Sequence, residues 1–214
     1  MSVDRRQFIA TLASSAGVAR SPGRIGVRAV LWLTAAAAFA IAATRWAAPF
    51  RPGFLADFSQ TPLAQFEFAT GVAAVAALAV AAFRSGIPAP GSMLRRAWPA
   101  LGLLALWFVA QAAALFDATA VVSMLGKRSH CWLEVMGYGV PALLAGCVAV
   151  RRLWPLKGAW SGTLLGLAAG TIGALVMQFA CMDAPVHAMA FHVLPGLALG
   201  AVGAVAGHFL IGRR

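Results

Sequence analysis

Residues 160–192 read W-S-G-T-L-L-G-L-A-A-G-T-I-G-A-L-V-M-Q-F-A-C-M-D-A-P-V-H-A-M-A-F-H. The first twenty-one carry no charge and are long enough to cross the hydrocarbon core of a bilayer. Inside lipid a backbone must satisfy its own hydrogen bonds, so such a run reads as a helix. Gly162, Gly166 and Gly170 recur at every fourth residue, spacing that lets a second helix approach closely. Apolar character then stops at Cys181. Within twelve residues the chain presents a cysteine, an aspartate, two histidines and two methionines before a second glycine-marked run begins, with Gly196/Gly200 and Gly203/Gly207. A membrane helix, a chemically dense turn at the membrane surface and a return helix follow from this stretch alone.

The same reading extends outward. Hydrophobic residues make up 61% of the chain and charged residues only 11%, which excludes an ordinary soluble domain. The sequence predicts an all-α membrane protein, a six-transmembrane-helix bundle with spans at 27–46, 66–83, 97–116, 132–150, 160–180 and 187–211. Residues 1–26 form a basic arm and 27–214 a single transmembrane sensor domain. The formal charge of +11 has no soluble basic face to sit on, so direct nucleic-acid binding is not expected. Arg5, Arg6, Arg20, Arg24, Arg28, Arg84, Arg95, Arg96, Arg151, Arg152, Lys157, Arg213 and Arg214 fall on one side of the bundle. Asp57, Glu67, Asp117, Glu134 and Asp183 fall on the other. The positive-inside rule puts both termini of the multi-pass chain in the cytoplasm.

That orientation brings Cys131, at the start of the fourth span, and Cys181, at the end of the fifth, to the outer side. Cys147 lies too far down its helix to join them. Cys131 and Glu134, three residues apart, share a helix face, so Glu134 is a candidate second ligand. Lys127 and Arg128, just upstream, are expected to favour the thiolate. His130 precedes the pair, while Asp183, His187 and His192 follow Cys181. His187 and His192 are five apart, about 140° around a regular helix, so they are not expected to reach one ion together. Met189 and His192 share a face. Thiolate, imidazole and thioether suit a soft or borderline ion such as Zn, Cd or Cu(I), although no compact Cys-x-x-Cys spacing is present. No phosphate loop, nucleophile elbow or His-Glu-x-x-His motif points to an enzyme.

Pro141 and Pro195 are expected to kink their helices, and the 47–65 connection to cap the bundle. The glycine stripes suit packing inside the bundle or, equally, a homodimer face. In the arm, Arg5 and Arg6 lead a short apolar patch of Phe8, Ile9 and Leu12, which suits either an interfacial helix on the lipid bilayer or a docking face for a cytosolic partner.

Gly126-Lys127-Arg128-x-x-Cys131-Trp132, the cysteine closing the fifth span, and His187 and His192 leading into a glycine-rich sixth span together resemble the NrsF family of bacterial integral-membrane anti-sigma factors. The resemblance covers residues 26–214; Phe191 stands where the family often has tryptophan. It implies an anti-sigma factor, not an enzyme, that sequesters an extracytoplasmic-function sigma factor and releases it on heavy-metal or oxidative stress. Cys131 and Cys181 match the family's paired sensory cysteines, and residues 1–24 correspond in position to its short sigma-holding arm. No cofactor is obligatory on this reading; a thiophilic ion enters as the signal. The rival reading is a small membrane thiol redox enzyme or metal-handling protein, with Glu67 on an outer-side proton or ion path.

Overall fold

The computed structural model describes residues 4–15, 23–88, 91–116, 122–153 and 155–212. Arg20, Asp117, Arg213 and Arg214 of the charge argument, and the side chain of Leu12, lie outside them. Among the described residues six helices are long and apolar enough to cross a membrane, and each coincides with an expected span to within a few residues. They are α2 (Ile25–Ala47), α4 (Pro62–Ser85), α5 (Met93–Ala113, continued by a 3-10 turn Ala114–Phe116), α6 (Cys131–Arg151), α7 (Gly158–Ala180) and a composite last span. That span comprises α8 (Pro185–Ala188), a π-turn (Met189–Val193) and α9 (Leu194–Leu210). The arm forms α1 (Arg5–Ser15), with Phe8 and Ile9 exposed. A short α3 (Phe54–Gln60) lies in the connection between α2 and α4.

The bundle is built around α7, which is buried along most of its length and packs against α9, α6, α4 and α2. Its glycines explain how. A Cβ at Gly162 would collide with the Gly203 carbonyl oxygen, one at Gly166 with that of Leu199, and one at Gly170 with that of Gly196. Gly203 and Gly207 face back onto the carbonyl oxygens of Gly162 and Gly158. The two stripes therefore close on each other inside one chain, which takes them out of use for a homodimer face. Two helices at this separation meet backbone to backbone, where dispersion is strongest.

Few polar contacts cross the apolar interior. The Trp32 indole donates to the Ala142 carbonyl at 2.9 Å, joining α2 to α6. At the end of the bundle remote from Cys131, the Ser85 and Ser161 hydroxyls lie 2.7 Å apart. Pro62 and Pro185 open their helices, where the missing N–H costs nothing.

The 47–65 connection does cap one end. The Arg51 amide donates to the Phe179 carbonyl at 3.2 Å. Phe54 and Phe58 from α3 and Phe68 from α4 surround the Phe179 ring at centroid distances of 5.5, 5.3 and 5.1 Å. Loop residue Ser123 exchanges both backbone hydrogen bonds with Asp183, an isolated antiparallel bridge. Gly126 turns with φ +76°, and a side chain there would press on Arg51, whose Cβ lies 3.0 Å from the position of a Cβ. The glycine of the Gly126–Trp132 motif is thus required by conformation and by space.

Replacing Gly166 by valine drives a branched side chain into the α9 backbone and is expected to cost at least about 1–3 kcal/mol. Gly102→Ala, with open space around it, is expected to be neutral. Thermal unfolding in mild detergent, compared between the two variants, checks this.

Candidate thiol and imidazole site

The capped end of the bundle gathers the chemistry. Cys131 is the first residue of α6, and Cys181 follows the last residue of α7, whose terminal turn it caps through a 2.9 Å bond to the Met177 carbonyl. Both thiols are free and buried, and their sulfurs lie 2.9 Å apart. The Cys131 thiol also reaches the Arg128 carbonyl at 3.3 Å. His187 Nε2 is 3.4 Å from each sulfur. His192 completes the group: one ligand atom from each of Cys131, Cys181, His187 and His192 falls within 4.8 Å of all the others.

This corrects the expectation that His187 and His192 diverge. On a regular helix they would, but the segment between them passes into the π-turn Met189–Val193. A π-turn closes on i→i+5 bonds and stacks residues five apart. The two imidazoles meet edge to face with centroids 5.2 Å apart. Pro195 supplies the cause. It has no N–H to offer the Phe191 carbonyl, and its ring crowds that carbonyl, so the preceding turn widens. The Pro195 irregularity expected as a kink is observed as a wide turn that aims a ligand.

Two electrostatic observations set the group's character. Cys181, outside the spans, is held well below the ordinary thiol range by its hydrogen bond with Cys131, with burial opposing the shift and the nearby His192 imidazole adding to it. A thiolate is thereby favoured at one of two adjacent sulfurs, the form in which sulfur is nucleophile and ligand. His192 is 1% exposed, and neither of its ring nitrogens has a hydrogen-bond partner. A fully buried imidazole normally bonds through at least one nitrogen. Two thiols and two imidazoles at this spacing fit a tetrahedral soft-metal site of the Cys2His2 kind.

The remaining sequence candidates hold the frame. Glu134 is paired with the Arg128 guanidinium at 2.6 Å and accepts the Tyr138 hydroxyl at 2.8 Å. It is outside the ligand group because that charge pair claims it. The same guanidinium donates to the carbonyls of Ala180 (3.2 Å), Ala48 and Pro49 (both 2.9 Å). Arg128, expected only to bias the thiol, therefore clamps the end of α2, the end of α7 and the first turn of α6 around it. His130 is exposed and bonded to Ser129 at 2.8 Å. Asp183 pairs with buried Arg51 at 3.1 Å, away from His187. Arg51, Gln111 and Gln178 were not singled out from sequence. A charge or amide within or beside an apolar run was the available signal.

Compared with known proteins, residues 12–212 match the family model described as NrsF, negative regulator of sigma F. No curated protein and no solved structure matches the chain.

Removing the Arg128 guanidinium strands Glu134 and three carbonyls. Arg128→Ala is expected to cost about 3–5 kcal/mol, and Arg128→Ala/Glu134→Ala to recover part of that loss. A double-mutant cycle of thermal melts reads the coupling.

Proposed function

The chain belongs to the NrsF family of negative regulators of sigma F, and on that premise we propose that it is an integral-membrane anti-sigma factor whose signal is a thiophilic metal ion bound by Cys131, Cys181, His187 and His192. The partner is an extracytoplasmic-function sigma factor. The distribution of basic residues supports a bacterial cytoplasmic membrane with both termini inside and the thiol end outside. The exposed Phe8 and Ile9 of α1, flanked by Arg5 and Arg6, supply a docking face for the sigma factor.

One observation carries the ligation reading: His192, buried with both nitrogens unpartnered beside two thiols and a second imidazole. A disulfide between Cys131 and Cys181 would use the sulfurs and leave His192 as it is. A tetrahedral ion with bonds near 2.3 Å would use it, and would hold the two sulfurs about 3.8 Å apart. They now stand 2.9 Å apart, so ligation spreads the start of α6 from the end of α7. It also ties both to the last span through the histidines. Zn, Cd and Cu(I) all accept such donors, and binding expels the thiol proton.

The spread must reach the opposite end to weaken the hold on sigma. α7 and α9 touch backbone to backbone along their length, so they move as a unit rather than absorbing a displacement in side chains. Ligation then shifts the equilibrium toward the sigma-releasing packing by the difference in its affinity for the two states. About 5.5 kcal/mol suffices to turn a 99:1 population around, within reach of a four-ligand thiolate site.

A sigma factor is expected to co-purify with the tagged chain from untreated cells and to be lost after cadmium exposure. Cys131→Ser is expected to retain it in both conditions. His187→Ala/His192→Ala is expected to raise the cadmium concentration needed for release by at least about tenfold, in line with losing two metal bonds. An unchanged response in the histidine variant would overturn ligation by the two imidazoles. Absence of any sigma factor throughout would favour a membrane thiol enzyme or metal carrier.

A further inference from the structure

The capped end also contains a cavity of about 80 Å³ that the sensing reaction does not by itself require. Arg51, Asp57 and Asp183 line it, and so do Glu67, Gln111, Gln178 and His192. Burial gives it a direction. The Asp57 and Asp183 side chains are 55% and 60% exposed, whereas Glu67 and His192 are almost wholly buried. The cavity therefore runs from acidic groups in contact with solvent to the unpartnered imidazole of the thiol cluster.

Charge gives it a sign. Among the described residues lining it, three carboxylates face one guanidinium, and Arg51 already pairs with Asp57 at 3.7 Å and Asp183 at 3.1 Å. A passage with this excess concentrates cations and repels anions, the more so between low-dielectric walls. Inside it, Glu67 of α4 is held by amides: Gln111 Nε2 of α5 donates to its Oε2 at 3.2 Å, and Gln178 Nε2 of α7 at 3.5 Å. A carboxylate within a membrane span is costly to keep and marks ion pathways in particular. Carboxylate and amide oxygens suit a hydrated or partly dehydrated divalent ion.

We propose that this cavity is the cation entrance to the thiol cluster and that Glu67, oriented by Gln111 and Gln178, is a transient divalent-cation site on the way to His192. The proposal rests on the ligation reading above. A stop of this kind raises entry and exit rates together and leaves the final affinity alone.

The full-length protein in lipid nanodiscs is mixed with Cd²⁺ in a stopped-flow instrument, and thiolate-to-cadmium charge-transfer absorbance is followed. Glu67→Gln keeps the shape and hydrogen bonding of the site, and Ala64→Phe narrows the cavity without touching the charge. Both are expected to slow binding at least about tenfold, with dissociation slowed in parallel and the dissociation constant unchanged. Wild-type rates in either variant would overturn the entrance. A second arm needs no thiols. In Cys131→Ser/Cys181→Ser protein, electron paramagnetic resonance is expected to detect one weakly held Mn²⁺ per chain, abolished by adding Glu67→Gln. No retained Mn²⁺, or retention undiminished by that change, overturns Glu67 as a stop. Absence of the charge-transfer band in wild-type protein sinks the ligation reading alone.

Discussion

The backbone contact between α7 and α9 is the constraint on which the other positions depend. Lipid tails are as apolar as the helices, so burial from water does not drive these two together; close packing must. Gly162, Gly166 and Gly170 against Gly196, Leu199 and Gly203 bring the axes near enough for main-chain atoms to touch. The remaining faces of α7 are then available to α2, α4 and α6. Because α7 is held from all sides, its end at Ala180 is fixed, and Cys181 with it. The return helix is fixed by the same contact, which limits where His187 and His192 can lie.

At the thiol end two arginines act as fasteners. Arg128 joins Glu134 and the carbonyls of Ala48, Pro49 and Ala180. Arg51 joins Asp183, while its backbone bonds to Phe179. A buried guanidinium spreads its charge over several acceptors in a fixed fork, which a lysine ammonium would not do. These two arginines order the loops that the apolar packing of the spans leaves undetermined. His192 differs from both arginines in that neither of its ring nitrogens has a hydrogen-bond or charge partner.

The sensing role proposed for this chain needs a site rigid enough to select its ligand and a structure with two packings. Here the ligands come from the first turn of α6, the residue after α7 and a widened turn of the last span, so one ion would report on three helices. The π-turn contributes geometry that a regular helix does not have, a feature that recurs at functional sites. Glu67 lines the cavity that also reaches His192, and on the entrance proposal supplying the ion is a separate task from holding it.

The sequence alone established the helices and their number, because uninterrupted apolar runs of about twenty residues have one solution in a bilayer. It marked α7 and α9 by glycine spacing, and it placed Cys131 and Cys181 at span ends on the same side. It left open whether those glycines faced each other or a second copy; the tertiary structure decided that. Sequence spacing put His187 and His192 on different faces because it assumes 3.6 residues per turn, and the wide turn before Pro195 breaks that assumption. Glu134 stood correctly beside Cys131 along the chain, yet Arg128 and Tyr138 engage its carboxylate and leave it outside the ligand group. Glu67, Gln111 and Gln178 come from three helices far apart in sequence. No local pattern records such a meeting, since which residues converge across a bundle depends on helix rotation and depth, and those are set only when the helices pack.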